Sequence, residues 1–250
     1  MRTFRIFLIA GICIGWLSAK SYAQESIDTT RLFAEFKKMR TVYQAKGLSF
    51  DIRYTYASEK QPDQILDSLN AHIDMLEDKV HYQIDSTETI SNGRYNIALF
   101  KEDKIMYLSK GTTLSTVDPI QQIRSIIGDG AITGCTINDE GKLRSIRLQF
   151  GENGACREML MTIDNTTGYM VMMRYIVKTE LLLDGKGADS DIEALYGRYA
   201  IVNSVYNQYK PFAPESRFFD EGRFFYKEGD EFKPTALFSE YKIFAGSPGL

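Results

Sequence analysis

Residues 48–56 read Leu48-Ser49-Phe50-Asp51-Ile52-Arg53-Tyr54-Thr55-Tyr56, with an apolar residue at every second position. Successive side chains of a strand point to opposite faces, so this period of two predicts a half-buried strand. The same period returns downstream. Leu69, Ala71, Ile73 and Met75 share one face, and Asn70, His72 and Asp74 share the other. After Glu77-Asp78, Val80, Tyr82 and Ile84 alternate with Lys79, His81, Gln83 and Asp85. Closing that hairpin puts both apolar sets on one side and leaves a wet opposite face. A polar loop is expected around Pro62.

Further strands follow from turn chemistry. Asn92-Gly93, a strong two-residue hairpin signal, joins 87–91 to 94–100, and the turn 101–104 leads into 105–109. A short helix is expected at 118–127, with Asp118 as cap, Pro119 in the first turn and Gly128 as stop. A meander of strands at 131–137, 143–150, 157–164 and 169–179 comes next. The polar stretch 185–191 is the best candidate boundary. The aromatic remainder predicts strands at 199–206, 223–226 and 237–244, with too little core to fold alone.

Upstream of residue 48, Leu32, Phe36, Met39 and Tyr43 recur at helical spacing, with Phe33 beside them and Gly47 at the exit. Earlier still, Arg2 and Arg5 precede an apolar run ending near Leu17, and Ser21-Tyr22-Ala23 offers a cleavage site. This is the pattern of a secretory signal, with the cut expected near Ala23. The run falls short of the ~20 residues a spanning helix needs. Cys13 lies inside the run, which argues against lipid attachment there. Losing Arg2, Arg5 and Lys20 takes the net charge from −3 to −6. A mildly acidic chain without a basic cluster argues against nucleic acid and against an anionic membrane surface as partners. No later apolar stretch is long enough to span a bilayer.

Catalytic signatures are sparse. The chain has two histidines, His72 and His81, both expected on the wet face of the hairpin. No third ligand is set by spacing, so no metal site is assigned. Neither a zinc-protease helix motif nor a Gly-x-Ser-x-Gly elbow occurs. No catalytic residue and no cofactor is assigned. Cys135 and Cys156 fall on strands separated by a third, about 9–10 Å apart laterally. A disulfide needs Cα atoms within ~7 Å, so pairing is not expected.

The helix at 32–43, the strand 48–56, the run 69–109 and the meander ending in Leu160-Met161-Thr162-Ile163-Asp164-Asn165-Thr166-Thr167-Gly168-Tyr169 resemble the LolA/LolB-like lipoprotein-sorting proteins over residues 30–180. The resemblance implies an α+β, mainly antiparallel fold: an unclosed, curved β half-barrel, plugged by the N-terminal helix and lidded by the helix 118–127. It also implies carriage of lipid or a lipidated protein in the periplasm. About sixty residues after Gly187 exceed a minimal carrier.

The organisation expected is a signal peptide at 1–23, a half-barrel core at 24–187, and a β extension of the same sheet at 188–250. The function expected is non-enzymatic binding of a hydrophobic ligand on the concave face. Phe36, Met39, Phe50, Ile52, Tyr54, Ile73, Met75, Tyr82, Ile123 and Ile127 are the candidate lining. One alternative is an envelope-complex component docking a protein partner through the C-terminal strands. The other is a hydrolase using His72 or His81.

Overall fold

The computed structural model describes residues 29–44, 47–111, 132–152, 154–182, 197–246 and 250. The signal segment, the 118–127 helix with Ile123 and Ile127, and the 185–191 boundary lie outside the described residues.

Helix α1, Thr29–Gln44, buries the predicted stripe of Leu32, Phe36, Met39 and Tyr43, while Phe33 stays half exposed. Eleven further strands build on β1 (Leu48–Ser58): β2 (Gln61–Leu76), β3 (Lys79–Ile84), β4 (Thr87–Ser91), β5 (Tyr95–Phe100), β6 (Ile105–Lys110), β7 (Ile132–Glu140), β8 (Leu143–Phe150), β9 (Cys156–Asp164), β10 (Met170–Lys178), β11 (Tyr199–Pro211) and, near the end of the chain, β14 (Lys242–Ala245). They form one sheet in the order β14-β6-β5-β4-β3-β2-β1-β11-β10-β9-β8-β7. Its edges, β14 and β7, do not pair, so the sheet is an unclosed half-barrel. All pairings are antiparallel except β14 on β6, which is parallel. A separate hairpin pairs β12 (Phe225–Glu228) with β13 (Glu231–Pro234).

Local chemistry explains most of these elements. Asn92 Oδ1 accepts from the Arg94 and Tyr95 N–H groups, and Gly93 takes the left-handed φ of 84° that the β4–β5 turn requires. Two expectations change. The loop around Pro62 is instead the outer part of β2, where the register with β1 slips twice, and bulges are where a strand tolerates proline. The strand expected at 237–244 is a 3-10 turn (Ala236–Phe238) followed by β14. Strand β11 is central in the sheet, paired with β1 on one side and β10 on the other.

The two faces carry separate cores. On one, α1 packs over Phe50, Ile52, Ile73 and Met75 of the first strands and over Ile146, Met159, Met161 and Met173 of the meander. On the opposite face, Phe212, Phe219, Phe224 and Phe225 cover Ile90, Ile97, Leu99, Met106 and Leu108 of β4 to β6. The face of β2 and β3 expected to be wet is therefore partly closed, because Phe218 meets the His81 ring edge-on at 5.3 Å. In the meander, β8 separates Cys135 from Cys156, and the two form no disulfide.

A closed hydrogen-bond cycle ties α1 to the sheet. The Met170 N–H donates to the Tyr43 hydroxyl (3.1 Å), and the Tyr209 hydroxyl donates to the Met170 carbonyl (2.8 Å). The two hydroxyls lie 2.8 Å apart, and since the Tyr209 proton is committed, Tyr43 donates to Tyr209. The register of β10 against β9 slips at Met170, and the tyrosines supply partners there. Tyr209→Phe is expected to remove the hydroxyl's bonds to Tyr43 and to the Met170 carbonyl and to cost about 1–3 kcal/mol. Urea unfolding checks this: the midpoint should fall with the slope unchanged. An unaltered midpoint would show that the cycle adds nothing.

Candidate functional site

The face that α1 packs on is not closed along its whole length. Beyond the helix, five neighbouring strands, β3, β2, β1, β11 and β10, form the floor of a cavity of about 450 Å³. No α1 residue lines it. Register brings the lining together. Tyr54 lies opposite Leu69 on one side and Ser204 on the other, Tyr56 lies opposite Val202, and Val202 lies opposite Tyr175. Tyr82 and Ile84 reach in from β3, Val177 from β10, and Tyr206 closes the inner end. Five tyrosines and five aliphatic side chains thus surround one space, with Ser204 as the remaining polar residue. Among the described lining residues none is charged.

The electrostatics follow from burial. Removal from water raises the phenols of Tyr54, Tyr82, Tyr175 and Tyr206 above the ordinary tyrosine range, because the phenolate is the form that loses hydration. At neutral pH these residues present an apolar surface studded with uncharged hydroxyls. A cavity of roughly 300–1,000 Å³ with an apolar lining and a few polar groups is the ordinary form of a small-molecule site.

The expected lining residues divide. Tyr54 and Tyr82 line the cavity. Phe36 and Met39 of α1, and Phe50, Ile52, Ile73 and Met75 beneath it, are each 3% exposed or less and fill the core. Tyr56, Leu69 and Ile84 continue the same strand periods and were open to sequence reading. Tyr175, Val177, Val202 and Tyr206 were not, because grouping them requires β11 to lie between β1 and β10.

The opposite face carries a second cluster. His72 Nδ1 is 2.6 Å from Asp51 and its Nε2 is 3.2 Å from Asp74; His81 bridges Asp74 (3.0 Å) and Glu88 (3.1 Å), and Lys101 lies 2.8 Å from Glu88. His81 is buried, contrary to the exposed position its alternation suggests. Desolvation opposes its protonation, but hydrogen bonds to Asp74 and Glu88 outweigh it and hold the imidazole at about 9. The hydrogen bond from His81, then that from Lys101, holds Glu88 down at about 2.

Ser49 Oγ lies 3.3 Å from His72 Nε2, so Ser49, His72 and Asp51 have the spacing of a Ser-His-Asp triad. Ser49 is 0% exposed. A nucleophile that no substrate can reach gives the triad spacing no chemistry. Among the described residues, no group of three or more His, Cys, Asp or Glu could hold a metal ion.

Of the C-terminal strands expected for docking, β11 is internal, β12 pairs only with β13, and β14 adds a four-residue edge beside β6. Among the described residues, no helix is long and apolar enough to cross a membrane.

No family model and no curated protein matches the chain. Solved structures share its arrangement at low identity. An uncharacterized conserved protein from Thermus thermophilus is 9% identical, with 86% of this chain and 99% of that one covered and a TM-score of 0.45. A LolA superfamily protein from Nitrosomonas europaea is 9% identical, with 76% and 97% covered and a TM-score of 0.37. A DUF1329 family protein from Desulfovibrio piger is 8% identical, with 77% and 97% covered and a TM-score of 0.37. The likeness is one of fold alone, and what the cavity does rests on this chain's own side chains.

Proposed function

We propose that the protein is a non-enzymatic binder of a hydrophobic ligand, a lipid or the lipid moiety of a lipidated protein, held in the tyrosine-lined cavity. The observation that carries this reading is a 450 Å³ space on the apolar sheet face whose described lining has no charge. A space of that kind rewards apolar surface by roughly 25 cal/mol per Å² removed from water. The site of action inferred is the cell envelope after export, in keeping with the signal-like N-terminus.

Native mass spectrometry of protein purified from its own envelope tests the reading. The expected spectrum holds a bound species that organic extraction removes and identifies as lipid. Leu69→Glu, which sets a carboxylate in the lining, should abolish that species. A spectrum of bare protein, unchanged after incubation with phospholipid vesicles, would overturn the reading.

A further inference from the structure

The chemistry of the cavity wall narrows the ligand further, on the premise that the cavity takes an apolar molecule at all. We propose that the site selects an acyl chain ending in an uncharged carbonyl, an acyl ester, over the free carboxylate of the same chain.

Two observations carry this. The first is the charge inventory: among the described lining residues there is no Lys, Arg or His to meet an anion. A carboxylate drawn into the cavity gives up its hydration and gains no counter-charge. The second is the supply of donors. Tyr54 and Tyr82 line one space, and burial keeps both phenols protonated. Even where one hydroxyl donates to the other, the pair keeps an O–H for an acceptor outside it. An ester carbonyl is such an acceptor, and it carries no charge to desolvate. Tyr175 and Tyr206 lie in the same wall, and burial keeps them protonated as well. A wall of neutral donors over an aliphatic floor therefore matches a neutral acyl ester at both ends.

Competition against an environment-sensitive acyl probe tests the selection, with methyl palmitate and palmitate as competitors at about pH 7.5, each below its aggregation limit. The expected result is displacement by the ester at least about tenfold tighter than by the carboxylate, a factor equal to about 1.4 kcal/mol. Tyr54→Phe combined with Tyr82→Phe should weaken ester binding several-fold and leave probe binding in place, since the rings remain. Palmitate binding as tightly as the ester would overturn the selection while leaving the hydrophobic-ligand reading intact. Failure of the probe and both competitors to bind would overturn that reading itself. If the double variant does not fold, the wild-type ratio decides alone.

Discussion

A chain ended at residue 196 is expected not to fold. Strand β11 pairs with β1 from Leu48↔Pro211 to Ser58↔Ala200 and with β10 from Met172↔Val205 to Lys178↔Tyr199. Removing it separates the β6–β1 half of the sheet from the β10–β7 half. It also strips the backbone partners from two central strands at once, each unpaired buried group costing about 1–3 kcal/mol. The loss far exceeds the roughly 5–15 kcal/mol that holds a domain together. Circular dichroism and urea unfolding of the truncated chain check this. No cooperative transition is expected, and a sharp one would show that the first 196 residues fold as a unit.

His81→Ala is expected to destabilise the protein by about 3 kcal/mol, the cost of leaving buried charged partners uncompensated. Asp74 and Glu88 both bond to this imidazole, and Phe218 of the C-terminal cover rests against it. The effect carries a pH signature. The folded pKa of His81, about 9, lies above its ordinary 6.5, so its contribution is complete below about pH 6.5 and is lost as pH rises through 9. Glu88 is held at about 2 against 4.5, so its share is complete above about pH 4.5 and is lost as pH falls through 2. The gap between wild type and variant should be widest between about pH 4.5 and 6.5. Urea midpoints at about pH 5.5, 7 and 9 measure it. A gap of constant size would contradict the ion-pair account.

Both effects arise where the local sequence pattern stops being informative. From residue 48 to 110 each strand pairs with its neighbour in sequence, so alternation and turn residues such as Asn92-Gly93 suffice to place them. The meander 143–178 is legible for the same reason. Tyr199-Ala200-Ile201-Val202 also reads as a strand, but nothing local says that it inserts between β1 and β10, partners some 150 and 25 residues away. The burial of His81 is hidden likewise. Its alternation with Tyr82 marks the face correctly, but the aromatic segment that covers that face begins at Phe212.

The site divides along the same line. Tyr54 and Tyr82 follow from the period of their own strands. Phe36, Met39, Phe50, Ile52, Ile73 and Met75 share that side of the sheet but belong to the core that α1 seals, and period alone cannot say where along a strand a helix ends. Tyr175, Val202 and Tyr206 become neighbours of Tyr54 only through the non-local order of the sheet.

The proposed function turns on whether the tyrosine-lined cavity holds an apolar ligand. Titrating an environment-sensitive acyl probe into the wild-type protein and into Val177→Trp, with unfolding midpoints matched, tests that most directly. The prediction is saturable one-to-one binding by the wild type, weakened at least about tenfold when the indole fills the space. Probe binding that is absent from the wild type, or unchanged by the filled cavity, would contradict it.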